Sequence, residues 1–138
     1  VDRKILLASH NHMASGLKSS IEFLAGEQDN LMALDAYVDG QAIDQKIKEL
    51  FASFPKETEV LIFTDLLSGS VNQKLFPYRL REHTHLITGM NLPIVLSIVL
   101  KPSESYLSNE EMRSLVEEAR TSLVYVNELN LEQGGEDE

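Results

Sequence analysis

The sequence predicts a doubly wound α/β domain, with a mainly parallel central sheet and helices on both faces. Three observations carry this reading. Short, wholly apolar runs such as Val60-Leu61-Ile62-Phe63 suit strands buried on both faces. Stretches of helical periodicity separate those runs, as βαβ units require. Polar residues cluster directly after the strands, where open α/β sheets bind ligands.

Taken in order, Lys4 to Ser9 reads as a buried strand. Met13, Leu17, Ile21 and Leu24 then recur at helical spacing, and Gly26 stops that helix. Leu31 to Tyr37 is a second strand, interrupted by Asp35. Ile43, Ile47, Leu50, Phe51 and Phe54 mark an amphipathic helix ended before Pro55. Val60 to Phe63 is the clearest strand, running into the polar loop Thr64 to Ser70. A helix from Ser70 should turn Val71, Leu75 and Tyr78 inward, with Pro77 shortening or bending it. His85 to Thr88 is a fourth strand, closed by Gly89. Residues 94–100 are rich in β-branched side chains, as in a strand. Asn91 and Pro93, however, read as an N-cap and a first-turn proline, so a helix is expected. Met112, Leu115, Val116 and Ala119 form a last helix, and Val124-Tyr125-Val126 a final short strand.

Length and composition agree with one domain. The chain has 138 residues, 43% of them hydrophobic, enough for one core. The domain is expected over residues 1–129, with 130–138 an acidic, disordered tail. Without cysteine there is no disulfide framework, thiol nucleophile or Cys-ligated zinc. No apolar run approaches the roughly 18 residues of a membrane span, and no leader precedes residue 10. Val1 is not an initiator Met, so the chain reads as processed or as part of a longer one. Acidic residues outnumber basic ones 22 to 12, which disfavours nucleic acid as a partner. An acidic surface would steer a basic protein or simply keep the chain soluble.

Three loops arrive at strand ends with polar residues: Ser9-His10-Asn11-His12, Thr64 to Ser70, and Gly89-Met90-Asn91. If the first strand is central, they can converge. His10 sits at a strand-to-helix turn, where helix N–H groups could hold an anion. A histidine there could attack phosphorus. A carboxylate on one ring nitrogen would fix the tautomer and free the other nitrogen's lone pair, and Asp65 is placed to supply it. Ser70 could donate to a phosphoryl oxygen, and Gly69 would let the backbone approach. The bland alternatives are a structural histidine, an aspartate in a turn and Ser70 as a plain helix cap.

His83 and His85 form a second His-x-His pair, expected to point to opposite strand faces, with His83 exposed. No close acidic ligands join them, so no metal site is expected. There is no Gly-x-Ser-x-Gly elbow for a hydrolase and no Gly-x-x-x-x-Gly-Lys loop for a kinase.

Several segments together resemble the mannose-family enzyme IIA of the bacterial sugar phosphotransferase system (PTS). They are Ile5 to His10, Ala14 to Leu17, Leu24 to Gln28, Thr64-Asp65-Leu66 with Ser68-Gly69-Ser70, and Gly89 to Pro93. The resemblance spans roughly residues 4–127. It departs at Ser68, where the family usually has glycine, and at Val71, where proline often follows.

The resemblance implies a phosphotransferase in which His10 accepts a phosphoryl group from the phosphocarrier protein HPr. His10 then passes it to a IIB domain, serving a membrane IIC/IID complex during sugar uptake. Asp65 would hold the ring, and Ser70, Gly69 and Asn11 would contact the phosphoryl group, without cofactor or metal. The family is cytoplasmic and commonly homodimeric, with a C-terminal strand crossing to the partner's sheet; residues 124–126 would do so here. The same domain type also occurs in transcription activators, where histidine phosphorylation regulates rather than transports.

Overall fold

The computed structural model describes residues 1–130. Four strands form one parallel sheet: β1 (Arg3–His10), β2 (Leu31–Ala36), β3 (Glu59–Thr64) and β4 (Thr84–Thr88). Their order is β2-β1-β3-β4, so β1 is central and the winding reverses between β1 and β3. The register sets Leu7 opposite both Ala33 and Phe63, and His10 opposite Ala36.

The period-two alternation of β1 divides the core. Ile5 and Leu7 face a layer made by α1 (Met13–Ala25), α4 (Leu92–Val99) and α5 (Asn109–Arg120). Leu6 and Ala8 face α2 (Ile43–Ala52) and α3 (Ser70–Leu75). Both faces are thus covered, which is why the middles of β1 and β3, Ile5 to Ala8 and Val60 to Phe63, are wholly apolar.

Helix ends follow local chemistry. Gly26 ends α1 at φ 85°, a left-handed geometry that suits glycine. The Asn91 side chain accepts from the Ile94 N–H, with Pro93 in the first turn, so residues 92–99 are helical as the cap predicts. Ser108 and Glu111 form a reciprocal capping box on α5. Pro77 ends α3 early, and the chain continues as a 3₁₀ turn over Phe76–Leu80. Val71 and Leu75 are buried, and Tyr78 packs on Phe51 with ring centroids 4.3 Å apart.

Some expectations are corrected. Residues 124–126 form no strand; Val126–Glu128 is a 3₁₀ turn, and Leu123 to Val126 are exposed, because no strand among the described residues pairs with them. Met13 and Leu24 lie on the outer side of α1, while Ala14 and Ile21 carry its buried face. Asp35 lies inside β2 and does not interrupt it. His83 is partly buried and stacked on Tyr106, and His85 Nε2 bonds the Leu107 carbonyl. Both therefore meet the 106–107 segment, as residues two apart on a strand share a face. The acidic tail lies, beyond Asn130, outside the described residues.

Candidate functional site

The site forms where the winding reverses, at the carboxyl ends of β1 and β3. His10 is the last residue of β1, and Asp65 directly follows β3. Asp65 Oδ2 accepts from the His10 backbone N–H and lies 2.8 Å from His10 Nδ1. Its other oxygen, Oδ1, accepts from the Leu66 N–H. The aspartate is thus held on both sides by backbone, and it in turn holds the ring. Its side chain is 9% exposed, whereas that of His10 is 37% exposed, so the ring can be reached from solvent.

Burial works to raise the Asp65 carboxyl. The hydrogen bonds from the His10 backbone and ring, with the ring's charge, outweigh it, and the group stands below its ordinary value. An ionised carboxylate only accepts, so Nδ1 carries a proton, and whenever the ring is neutral its lone pair lies on Nε2. Nε2 faces Ser70 Oγ at 3.4 Å, a long contact.

The loop between β3 and α3 is braced from beneath. Buried Thr64 donates to Asn72 Oδ1, and Asn72 Nδ2 donates to the Leu67 carbonyl. This bracket sets Gly69 against His10. A Cβ at Gly69 would sit 2.9 Å from His10 Cε1 and 3.3 Å from Leu66 Cβ. The glycine is demanded by that approach and not by its backbone, whose φ is −77°. Gly69→Ala is therefore expected to displace the ring and to slow its phosphorylation about tenfold or more, as a misplacement near 1 Å can. Initial labelling rates check this, with a thermal melt to show that the variant is folded. Ser68 shows no positive φ, so a side chain there costs no backbone strain.

Of the three expected loops, two meet. The loop after β4 makes none of the described contacts with His10: Met90 is buried with its N–H on the Thr64 carbonyl, and Asn91 is engaged by the α4 cap. The third contributor is the exit of β2, the other neighbour of β1. There Tyr37 turns at φ 67°, places its hydroxyl 2.5 Å from Ser70 Oγ, and sets its ring 5.5 Å from that of His10. The sequence offered no local signal for Tyr37, which lies 33 positions from Ser70.

Two first-turn amides of α1, those of Ala14 and Ser15, are also not free to hold an anion. The Ala14 N–H donates to Ser9 Oγ and the Ser15 N–H to Asp35 Oδ1. Asp35 further takes the Ser15 hydroxyl and lies 3.2 Å from His12 Nδ1, clamping α1 to β2. Burial opposes ionisation of Asp35, yet these hydrogen bonds and the His12 charge hold its carboxyl below the ordinary value. The Asn11 N–H is likewise committed, to the Ala36 carbonyl, with Asn11 itself at φ 56°.

A parallel α/β sheet with a carboxylate-braced, solvent-reached histidine at its switch point defines a class of site suited to carrying a transferred group on the ring. The EIIA-man profile, described as the PTS system fructose IIA component, matches residues 4–118. The chain belongs to that mannose/fructose/sorbose EIIA family of the phosphotransferase system.

It is 26% identical over 98 residues to the PTS fructose-specific EIIA component of Bacillus subtilis, covering 69% of this chain and 67% of that one. Against the PTS sorbose-specific EIIA component of Lacticaseibacillus casei it is 25% identical over 125 residues, covering 87% and 90%. A crystal structure from Klebsiella pneumoniae, assigned to the phosphoenolpyruvate-dependent sugar phosphotransferase system, superposes with TM-score 0.85 at 31% identity. That match covers 92% of this chain and 93% of the other. The family implies HPr and IIB as partners. No helix among the described residues is long and apolar enough to cross a membrane.

Proposed function

We propose that this EIIA component carries a phosphoryl group on His10 Nε2, taking it from HPr and giving it to a IIB domain. The observation that carries this reading is the Asp65 carboxylate 2.8 Å from Nδ1 of a ring whose other nitrogen is reachable. The Nε2 lone pair forms a bond to phosphorus as the donor's nitrogen–phosphorus bond breaks, and that electron pair returns to the donor ring. Nδ1 keeps its proton throughout. The resulting cationic ring is balanced by Asp65, so no metal and no general base are required. Ser70 donates to a phosphoryl oxygen, and Gly69 and Asn11 contact the phosphoryl group beside it.

Transfer between two proteins also needs a docking surface. Met13, Leu66 and Leu67, on the loops and helix start that carry the site, are exposed apolar side chains suited to one. The outer edge of β4 has no partner strand among the described residues, and Leu123 to Val126 lie exposed. This supports a homodimer in which residues 124–126 pair with the partner's sheet. A cytoplasmic setting follows from the role.

The test is incubation with phosphoenolpyruvate, enzyme I and HPr, then peptide mapping of the acid-labile phosphate. Label is expected on the peptide containing His10 and not on one containing only His83 and His85. It should discharge to a cognate IIB domain. Label on another residue would overturn the assignment. Retention in the presence of IIB would instead fit a regulatory domain that accepts phosphate without passing it on.

A further inference from the structure

Ser70 is not alone beside the histidine. A hydroxyl that is to donate to Nε2, or to a phosphoryl oxygen there, must have its single proton pointed inward. Nothing on α3 itself is seen to do this: Ser70 is the first residue of the helix, and the partners of its hydroxyl, Tyr37 and His10, both lie off it. The tyrosine at the end of β2 meets that need. Its hydroxyl is 2.5 Å from Ser70 Oγ, and Ser70 Oγ is in turn 3.4 Å from His10 Nε2.

With the His10 ring neutral, the state that can attack phosphorus, the proton directions along this chain follow from its far end. Asp65 accepts from Nδ1–H, so Nε2 offers a lone pair and Ser70 must donate to it. The lone pairs of Ser70 Oγ then accept from the Tyr37 O–H. We propose that Tyr37 is a positioning residue for phosphoryl transfer, aiming the Ser70 hydroxyl at His10 Nε2 and, after transfer, at the phosphoryl oxygens. This rests on the phosphocarrier reading above and deepens it.

Two further observations agree. Tyr37 is held at φ 67°, in the left-handed region that a bulky residue seldom occupies. Such strain persists only where surrounding structure enforces it. Here the Asn11 N–H bonds the carbonyl of Ala36, the residue just before Tyr37, so the two adjacent strand ends are tied together at the turn. Tyr37 is also 54% exposed, so this is not a core aromatic whose backbone is bent to bury a ring. Its ring lies beside that of His10, tilted by 39° at 5.5 Å, which narrows one side of the approach without closing it.

The discriminating variant is Tyr37→Phe, which keeps the ring and loses only the hydroxyl. The initial rate of His10 labelling by phospho-HPr is expected to fall about three- to tenfold, with the thermal midpoint unchanged. Ser70→Ala should lower the rate by at least as much. Adding Tyr37→Phe to Ser70→Ala should then change nothing further, because the tyrosine acts through the serine. An unaltered rate in Tyr37→Phe, or a loss that multiplies with that of Ser70→Ala, overturns the proposal.

A second readout needs no phosphate. In ¹⁵N NMR of the neutral ring, a hydrogen bond to the Nε2 lone pair shifts its resonance. Tyr37→Phe and Ser70→Ala are expected to move the His10 Nε2 signal in the same direction, and an unmoved signal in Tyr37→Phe would sink the idea. If wild-type protein shows the NMR effect yet takes no label on His10, the phosphocarrier reading fails while the hydroxyl relay stands.

Discussion

Asp65→Asn is expected to slow phosphoryl acceptance at His10 by about 100-fold. That lies between the ten- to hundredfold cost of a lost orienting partner and the roughly 10⁴-fold cost of a wrong tautomer in a hydrolase triad. The reason is specific to how this aspartate is held. Oδ2 accepts from the His10 N–H and faces Nδ1, and Oδ1 accepts from the Leu66 N–H. A carboxylate can serve both sides, but an amide has one acceptor oxygen. With that oxygen toward His10, the NH₂ group confronts the Leu66 N–H. Turned over, the NH₂ confronts the His10 N–H and donates to Nδ1, which drives the ring proton to Nε2 and removes the attacking lone pair. In both orientations the negative charge opposite the developing cation is gone. Stopped-flow labelling by phospho-HPr measures the rate, and NMR of the ring nitrogens reports the tautomer. A variant that accepts phosphate at the normal rate would exclude an orienting role for Asp65.

The same substitution has a signature in pH. The Asp65 carboxyl is depressed in the folded protein, so its contribution is fully present above the ordinary carboxylate value, about 4. It is lost as pH falls through the lower folded value. Denaturant unfolding between about pH 5 and pH 2 should therefore show wild type losing more stability on acidification than Asp65→Asn. The slope should not vanish in the variant, because Asp35 is depressed as well.

The largest effect on stability is expected at the opposite end of the sheet. Arg3 and Glu59 are paired across β1 and β3, with exposures of 4% and 0%. Arg3 Nε donates to Glu59 Oε1, and its two terminal nitrogens donate to the carbonyls of Lys101, Pro102 and Ser105. Glu59 Oε2 accepts from the Leu107 N–H. One buried ion pair thus fastens the connection between α4 and α5 to the amino ends of the two central strands.

Arg3→Met is expected to cost about 3–5 kcal/mol, because it strands a carboxylate where water cannot reach it and frees three carbonyls. For a domain with a total stability of about 5–15 kcal/mol, that lowers the melting temperature by roughly 10–15 °C. The double variant Arg3→Met with Glu59→Leu should recover much of the loss, as no unpaired charge then remains. Chemical denaturation of the three proteins checks this. A single variant as stable as wild type would mean that the pair is not desolvated. Below the melting range, labelling at His10 should be nearly unchanged, since the pair sits at the far end of the strands.

Much was legible without coordinates, because the signals act over a few residues. Burial on both faces made Val60 to Phe63 read as a strand, and an asparagine followed by a first-turn proline made residues 92–99 a helix despite their β-branched content. The motif around Asp65, Gly69 and Ser70 marked a loop at a strand's carboxyl end, and His10 marked another. The misreadings share a cause. Whether residues 124–126 form a strand depends on a neighbour the local sequence does not contain. The availability of the α1 amides depends on Ser9 and Asp35, which approach only once the strands pair.

The sequence alone determined the alternation of strands and helices, the two faces of the core and the chemical types at His10, Asp65 and Ser70. Tertiary structure decided that β2 and not β4 lines the other side of the histidine, because β1 has β2 and β3 as its neighbours. From that single adjacency come Tyr37 on Ser70, Asp35 on α1 and the shape of the mouth. Strand order is set by the packing of residues far apart in the chain, and no local periodicity records it.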